Sequence, residues 1–268
     1  MVNWKQLFSE IAWEIYRSVK PILHTHQAEE IVGRGTGGDL TRHIDALAED
    51  VAIKILEKSG VSCILVSEEC GTRVIGEEAK DYVVLDSVDG TTNALRGISF
   101  FSTSLALSTG PHLSNVKLGL VMDLNNSTIF LAEKDKGAYE GESRLRPSSV
   151  TNIDDALISV EVSLPGNKEH IIRLIPLITK TGKIRHLGST ALELCYVASG
   201  SLDAFVDTRN LIRATDLSAA YLILREAGGV IATPEGGKLD MELKAMERTS
   251  FVAAANPTIY DNIIKLLK

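Results

Sequence analysis

The feature that most constrains this chain is an apolar strand pattern that runs directly into two carboxylates. Tyr82 to Leu85 is rich in β-forming residues and is followed at once by Asp86, Asp89, Gly90 and Thr91. Carboxylates at the end of a buried strand can hold a hard cation, and the N–H groups of a helix that begins near Thr91 can hold a phosphate beside it. The same pattern is also typical of a capped turn between a strand and a helix. The segment therefore predicts either a cation and phosphate site or a structural turn.

A second pair of acidic residues follows the preceding apolar run. Cys63 to Val66 predicts a buried strand, and Glu68 and Glu69 come just after it. If this strand and the later one are neighbours in one sheet, four carboxylates converge at one edge, where they repel one another unless cations lie between them. The alternative is an exposed loop in which both glutamates are simply hydrated.

Three more acidic residues lie near predicted helix starts. Asp216 follows Thr215 at the start of an apolar helix, and Asp39 and Asp45 flank the start of another. Each of them can act as a helix cap or as a first-turn acid at the positive end of the helix dipole. The position alone does not separate this structural role from a role in a metal site.

The composition excludes several classes of protein. The 28 Lys and Arg residues stand against 35 Asp and Glu, and the resulting net charge of −7 repels a nucleic-acid backbone. The longest apolar stretches, such as 63–66, are far below the roughly 20 residues needed to span a bilayer. The N-terminus lacks a signal-peptide pattern, so we expect a cytoplasmic protein without a membrane partner. Cys63, Cys70 and Cys195 match no C-x-x-C spacing, which favours reduced thiols over a redox disulfide.

The order of the predicted elements indicates two halves. A helix pattern covers 4–21 and a second covers 44–59, and the short strands that follow predict an antiparallel section. Beyond the polar, Pro-containing segment 146–149, predicted strands and helices alternate. We therefore expect an α+β half at 1–147 and an α/β half at 148–268.

Together, these motifs resemble the superfamily of Mg-dependent, lithium-sensitive inositol monophosphatases and fructose-1,6-bisphosphatases. The resemblance is ordered along about residues 5 to 265. The matching motifs are D-x-x-x-x-x-D at 39–45, G-E-E at 67–69, D-P-x-D-G-T-x-N at 86–93 and W-D-x-A-A…E-A-G-G at 215–229. Ser67, Ser87 and Thr215 stand where the family usually has Gly, Pro and Trp, whereas every acidic position is kept. The resemblance implies a layered αβαβα sandwich and a homodimer.

The resemblance also implies a set of ligands for two or three Mg²⁺ ions, most of them in the first half of the chain. It assigns one ion to Glu68, Asp86 and the Val88 carbonyl, a second to Asp86, Asp89 and Asp216, and a third to Glu69 through water. Hard oxygen ligands of this kind suit Mg²⁺, which keeps several waters and leaves room for a substrate phosphate. Paired ions stabilise both the attacking and the leaving oxygen of an in-line displacement.

The catalytic residues implied by the resemblance are Thr91, Asp45 and Glu68. Glu68 and Thr91, with Asp45 behind the Thr91 hydroxyl, would orient and deprotonate the attacking water. No covalent intermediate with the enzyme is needed, and the amides of Gly90 and Thr91 would hold the phosphate.

The substrate-binding residues implied by the resemblance lie mainly in the second half. Ser189 marks a helix start near the substrate ring, and Asp207 takes the place of a substrate-binding Glu in the family. Arg209 and Arg213 can pair with a second phosphate, which resembles the archaeal-type dual enzymes that act on fructose 1,6-bisphosphate and inositol phosphates. The alternative for both arginines is a solvated loop.

The predicted function is a Mg²⁺-dependent phosphomonoesterase that acts on inositol 1-phosphate, fructose 1,6-bisphosphate or both. Haloacid-dehalogenase-like phosphatases, which form a phospho-aspartate, are one alternative, but their D-x-D-G-T motif has one residue between its acids. Asp86 and Asp89 have two residues between them, which speaks against Asp86 as a nucleophile. A sensor of phosphometabolites or Mg²⁺ that lacks catalysis is the other alternative.

Overall fold

The computed structural model describes residues 2–36, 40–163 and 168–268, so Asp39 lies outside the described residues. The helices are α1 (Trp4–Val19), α2 (His26–Glu29), α3 (His43–Lys58), α4 (Thr91–Arg96), α5 (Lys168–Thr181), α6 (Thr190–Ser199), α7 (Ala214–Ala227) and α8 (Pro257–Leu267). The strands are β1 (Ile31–Arg34), β2 (Leu40–Arg42), β3 (Cys63–Ser67), β4 (Gly71–Ile75), β5 (Asp81–Asp89), β6 (Ser102–Ser108), β7 (Val116–Asp123), β8 (Ile129–Glu133), β9 (Gly137–Glu140), β10 (Ser143–Arg144), β11 (Ile158–Val160), β12 (Ile184–Arg185), β13 (Ala204–Arg213), β14 (Val230–Ala232) and β15 (Arg248–Ala254).

The larger sheet has eight strands in the order β10-β9-β8-β7-β6-β5-β3-β4. Its strands are antiparallel except for β3 and β5, which pair in parallel. The antiparallel section predicted after the second helix is therefore confirmed. Because β3 and β5 are parallel neighbours, their carboxyl ends reach the same edge of the sheet, and the acidic residues that follow both strands are brought together there.

The smaller sheet has five strands in the order β12-β11-β13-β15-β14. β11 is parallel to β12 and β13, whereas β15 runs antiparallel to β13 and β14. The second half was predicted to alternate between strands and helices, and its sheet is mixed. The chain passes from the end of β13 directly into α7, and the first turn of α7 contains Asp216.

The elements stack in five layers, as the resemblance predicted. Helices α1 and α3 cover one face of the large sheet, and α6 and α7 lie between the two sheets. Helices α5 and α8 pack on each other, and α8 packs on the outer face of the small sheet. Each gap between layers holds its own apolar cluster, with Ile11 and Ile44 in the first, Leu192 and Phe205 in the second and Leu174 and Ile263 in the third. The fold is thus an αβαβα sandwich, and the division into two halves at 147 stays a prediction.

Several boundaries differ from the sequence prediction. Helix α1 ends at Val19, near Pro21 as expected, whereas α7 begins at Ala214, two residues before Asp216. Strand β13 continues to Arg213 across an irregular register between Asp207 and Ile212. The hairpin β1–β2 was missed because its residues are mostly exposed, so they lack the apolar alternation that marks a half-buried strand.

Two other sequence expectations concern membrane-spanning helices and the state of the cysteines. No helix in the described ranges is both long enough and apolar enough to cross a membrane. Cys63, Cys70 and Cys195 are free thiols.

Candidate active site

A bulge in β5 aims two carboxylates in the same direction. Asp86 pairs with Ser104 of β6 and Asp89 pairs with Ser102, so three steps along β5 correspond to two steps along β6. Side chains alternate between the faces of a regular strand, and residues three apart would point to opposite faces. The extra residue restores the alternation, so Asp86 and Asp89 lie on the face shared by Ser102 and Ser104. Both carboxylates are buried.

Three carboxylates from different elements meet beside this bulge. One oxygen from each of Glu68, Asp86 and Asp216 lies within 4.8 Å of the other two. Glu68 follows β3, Asp86 lies in β5 and Asp216 lies in the first turn of α7. The predicted convergence of acids from neighbouring strands is present in the structure, and Asp216 joins it from the second half of the chain.

Asp89 is held by the first turn of α6. Its Oδ2 accepts hydrogen bonds from the Ser189 hydroxyl at 2.6 Å and from the Ala191 N–H at 2.7 Å, and its Oδ1 accepts from the Thr190 N–H at 3.2 Å. A helix start offers unpaired N–H groups and a positive dipole end, which stabilise a carboxylate there. Ser189, predicted to bind substrate, is fully buried and orients Asp89.

Asp216 is fixed by the residues that precede it. The Arg213 backbone N–H donates to Oδ2 at 3.0 Å, and the Thr215 hydroxyl donates to Oδ1 at 3.0 Å. The capping role that the sequence left open is therefore real. It coexists with a place in the carboxylate cluster, because a carboxylate has enough lone pairs for both.

The pair of Thr91 and Asp45 lies beside the cluster. The Thr91 hydroxyl oxygen is 2.9 Å from Asp45 Oδ1 and 3.0 Å from the Val88 carbonyl oxygen, and it can donate its proton to either acceptor. Asp45 lies in the first turn of α3, and the Ser87 hydroxyl donates to its backbone carbonyl. The predicted partnership of Thr91 and Asp45 is thus present as a hydrogen bond.

The tight connection between β5 and α4 requires glycine at position 90. Gly90 has φ 92° and ψ 36°, in the left-handed region that favours glycine. A Cβ placed on Gly90 would lie 3.0 Å from the Gly188 carbonyl oxygen and 3.2 Å from that of Phe100. The backbone of Gly90 therefore packs against the loop that precedes Ser189, which links the two halves of the site.

Glu69 and the turn around it are held by residues that sequence reasoning missed. The Thr41 hydroxyl donates to the Glu69 carboxylate. Glu49 is buried and its carboxylate accepts from the Glu69 N–H at 3.2 Å and from the Cys70 N–H at 2.8 Å. Glu49 follows Asp45 by four residues, so one face of α3 carries both acids. The sequence signal for Glu49 was its position four residues after Asp45 within an apolar helix pattern, which places both acids on one helix face.

Burial raises the pKa of several carboxyl groups in the site. It raises the pKa of Asp45 to about 7, against the opposing hydrogen bond from Thr91. Burial and the charge of Asp216 raise the pKa of Asp89 to about 7, although Ser189 and the α6 amides favour its charged form. Burial and the neighbouring carboxylates raise the pKa of Asp86 well above its usual range, and the same two causes raise the pKa of Glu68 to about 8.

The donor set fits divalent metal ions. Each side chain of the cluster offers carboxylate oxygen, the ligand type that Mg²⁺ prefers, and burial and mutual repulsion make the charged forms of Asp86 and Asp89 costly without a bound cation. A cavity of about 490 Å³ opens beside it and is lined by Asp45, Glu68, Glu69 and Thr91 among others. The site has room for a small phosphorylated ligand next to the carboxylates.

Asp207 and Arg209 lie in a different polar group. The Arg209 guanidinium donates two hydrogen bonds to Asp207 Oδ2, at 2.6 and 3.0 Å, and lies 3.4 Å from Glu161. In the part of the chain that the structure describes, no hydrogen bond or ion pair joins Asp207 or Arg209 to Glu68, Asp86 or Asp216. Arg213, in contrast, reaches the metal end of the site, where its guanidinium pairs with Glu68.

Comparison with known proteins decides the family. The family model described as the inositol monophosphatase family matches residues 4–268. The chain belongs to this family. A fructose-1,6-bisphosphatase/inositol-1-monophosphatase from Methanothermobacter thermautotrophicus is 36% identical over 274 residues, which cover 99% of this chain and 96% of the relative.

Two further proteins are similar to this chain. A bifunctional NADP phosphatase/NAD kinase from Methanococcus maripaludis is 34% identical over 275 residues, covering 95% of this chain and 47% of that protein. The crystal structure of the extragenic suppressor protein suhB from Bartonella henselae superposes with a TM-score of 0.86 at 28% identity, covering 100% of this chain and 99% of that one. The resemblance drawn from the acidic motifs is confirmed, and so is its implication that the chain belongs among phosphatase hydrolases.

Replacement of Glu49 by Gln should weaken metal binding while the fold is retained. A Gln amide offers one acceptor oxygen, so one of the two N–H groups of Glu69 and Cys70 loses its partner, and an unpaired buried N–H costs about 1–3 kcal/mol. We expect the dissociation constant for Mn²⁺, measured by isothermal titration calorimetry, to rise by roughly 3- to 30-fold.

Glu57→Gln is the matched control, because Glu57 lies on the same helix, is exposed and pairs with Arg73. It should leave Mn²⁺ binding unchanged. If Glu49→Gln lowered the melting temperature but bound Mn²⁺ as tightly as the wild type, Glu49 would stabilise the fold without positioning the turn that contains Glu69 for metal binding.

Proposed function

We propose that this chain is a Mg²⁺-dependent phosphomonoesterase that hydrolyses inositol 1-phosphate and fructose 1,6-bisphosphate by direct attack of water. The observation that carries the proposal is the meeting of Glu68, Asp86 and Asp216 beside the hydrogen-bonded pair of Thr91 and Asp45. Membership in the inositol monophosphatase family supports the reaction class, and the dual names of its relatives support both substrates.

The proposed metal ligands follow the predicted sets. Glu68, Asp86 and the Val88 carbonyl would hold one ion, Asp86, Asp89 and Asp216 would hold a second, and Glu69 would contribute to a third through water. Bound ions of this kind neutralise the carboxylates, lower the pKa of a bound water and stabilise the charge on the attacking and leaving oxygens. The hydrogen bonds from α6 to Asp89 and from Arg213 and Thr215 to Asp216 support this assignment, because they fix the orientation of both carboxylates.

Thr91 and Asp45 take up the proton of the attacking water in the proposed mechanism. The Thr91 oxygen accepts a hydrogen bond from the water while its own proton points to Asp45. As the water oxygen bonds to phosphorus and the ester P–O bond breaks, the proton passes through the Thr91 hydroxyl to the Asp45 carboxylate. Glu68 orients the same water from the other side. The departing alkoxide takes a proton from solvent, so the products are an alcohol and inorganic phosphate.

The substrate contacts are proposed from the same residues as before. The amides of Gly90 and Thr91 are proposed to hold the phosphate. Ser189 is proposed to lie near the substrate ring at the start of α6, where its hydroxyl donates to Asp89. Asp207 and Arg209 are proposed to face the remainder of the substrate, and in the free protein they are paired with each other. Arg213 is proposed to contact a substrate phosphate, which its place beside Glu68 supports.

The alternatives from the sequence fare differently. The bulge that puts Asp86 and Asp89 on one face, together with family membership, favours metal ligation by Asp86 over a phospho-aspartate mechanism. A sensor without turnover is opposed by the complete set of Asp45, Glu68, Thr91 and Asp216. A homodimer and a cytoplasmic location, both expected from the sequence, stay predictions.

Turnover should require a divalent metal and the site residues. We expect release of inorganic phosphate from inositol 1-phosphate and from fructose 1,6-bisphosphate with Mg²⁺, and loss of release with EDTA. Asp86→Asn removes a charged ligand and Thr91→Ala removes the proton-accepting hydroxyl, so each should lower kcat by about 10²-fold or more, the size typical for loss of a general acid–base group.

Both variants should keep the circular dichroism spectrum of the wild type. NADP⁺ belongs in the substrate panel because of the NADP phosphatase relative. Near-normal turnover of either variant would contradict the mechanism, and Mg²⁺ binding without turnover of any phosphomonoester would favour the sensor.

Metal binding at neutral pH should release protons. The raised pKa of Asp89, about 7 against an ordinary value of 3.8, means that this carboxyl is partly protonated in the metal-free protein at pH 7. A bound cation favours the carboxylate, so the proton leaves. Between pH 3.8 and about pH 7, rising pH ionises Asp89 in the unfolded chain more readily than in the folded protein. The stability of the metal-free protein therefore falls over this range, and metal binding becomes tighter.

Calorimetric titration with Mn²⁺ in two buffers of different ionisation enthalpy measures this release. The apparent enthalpy should differ between the buffers at pH 7, and the difference should shrink as the pH rises well above the raised pKa of Asp89. Identical enthalpies in both buffers at pH 7 would show that the cluster is already ionised without metal.

A further inference from the structure

Arg213 lies at the junction of two members of the carboxylate cluster. It is the last residue of β13 and the N-cap of α7, and its backbone N–H donates to Asp216. Its guanidinium Nη1 pairs with Glu68 Oε1. The Arg213 side chain is 16% exposed, so this ion pair is mostly shielded from solvent. One residue thus reaches a carboxylate from β3 and one from α7.

The charge balance around Arg213 is uneven. Glu68, Asp86, Asp89 and Asp216 bring four carboxyl groups together. Burial raises the pKa of all four, and the charge of neighbouring carboxylates raises it further for Glu68, Asp86 and Asp89. Within the described ranges, no other Lys or Arg forms an ion pair with any of these four. Arg213 is therefore the cation that offsets part of the cluster's charge at short range.

We propose that Arg213 is a built-in counter-ion that competes with the divalent metal for Glu68 and thereby sets the metal affinity of the site. This inference rests on the proposed metal site. It goes beyond the predicted contact of Arg213 with a substrate phosphate, because it assigns Arg213 a role before substrate binds.

The competition follows from the geometry of the pair. A divalent ion at Glu68 would share the carboxylate that Arg213 already holds through Oε1, so the two cations repel each other and the ion pair must weaken when the ion binds. Separation of a mostly shielded ion pair costs free energy, and the observed binding constant is reduced by that amount. In the metal-free protein the same pair lowers the repulsion among the carboxylates and so stabilises the fold.

Arg248 offers a matched control for the charge alone. Arg248 pairs with Arg213 in the register of β13 and β15, so it lies on the neighbouring strand. Its guanidinium donates to the backbone carbonyls of Ala245 and Glu247. It acts on Asp216 through space only. Its removal therefore measures the long-range effect of one positive charge near the cluster.

The test is calorimetric titration of the full chain with Mn²⁺ in the absence of substrate, for the wild type, Arg213→Gln, Arg213→Lys and Arg248→Gln. We expect Arg213→Gln to lower the dissociation constant by about 3- to 10-fold, the effect of one partly shielded ion pair. Arg213→Lys should fall between the two, because lysine keeps the charge but reaches less far and has a single point of contact. Arg248→Gln should change the constant by less than about twofold.

A second readout is the melting temperature with EDTA and with saturating Mn²⁺. Arg213→Gln should melt lower than the wild type in EDTA, and its rise on addition of Mn²⁺ should be larger. If Arg213→Gln does not fold without metal, Arg213→Lys supplies the binding comparison.

The outcomes separate the claims. Unchanged or weaker Mn²⁺ binding in Arg213→Gln would overturn the inference. An equal gain in Mn²⁺ affinity in Arg213→Gln and Arg248→Gln would show a long-range effect of charge alone, and it would overturn the competition for Glu68. A wild type that binds Mn²⁺ with the expected Arg213 effect but hydrolyses no phosphomonoester would leave the inference standing and contradict the proposed function alone.

Discussion

The mutual repulsion of buried carboxylates is the constraint on which the rest of this structure depends. Glu68, Asp86 and Asp216 place oxygens within 4.8 Å of one another, and Asp89 is buried on the same strand as Asp86. In a low-dielectric site such groups either take up protons or bind cations. The fold makes the second solution available, since the start of α6 orients Asp89 and the residues that begin α7 orient Asp216 through hydrogen bonds. Metal binding and the local stability of the fold are therefore linked.

The architecture explains how distant segments reach one site. Parallel pairing of β3 and β5 brings Glu68 to Asp86, and α7 between the sheets presents Asp216 to both. Helix α3 carries Asp45 toward Thr91 and, one turn later, Glu49 toward the turn that contains Glu69. The layered sandwich thus supports the chemistry through rigid elements, and the loop at Gly90 supplies the close approach between the two halves.

The strand-end positions of the acidic motifs predicted that Glu68 and Asp86 would meet, because carboxylates after neighbouring parallel strands share one edge of a sheet. The partnership of Thr91 and Asp45 was implied by the family resemblance. The predicted convergence of Glu68, Glu69, Asp86 and Asp89 differs from the observed group, which Asp216 joins from α7. The bulge in β5, the capping of Asp89 by α6 and the role of Glu49 were not predicted, since they depend on strand register and on tertiary contacts such as Glu69 with Glu49 and Ala191 with Asp89. Arg213 was assigned to a second phosphate from its place in the sequence. Its contact with Glu68 was not predicted, because it joins residues 145 positions apart.

The central claim is that the carboxylate cluster is a divalent metal site. Anomalous diffraction at the manganese absorption edge, from crystals grown with Mn²⁺ at neutral pH, tests it most directly. The account predicts one strong anomalous peak beside Glu68, Asp86 and the Val88 carbonyl, and a second peak among Asp86, Asp89 and Asp216. A structure at saturating Mn²⁺ with no peak at the cluster, or with peaks only at surface carboxylates, would contradict it.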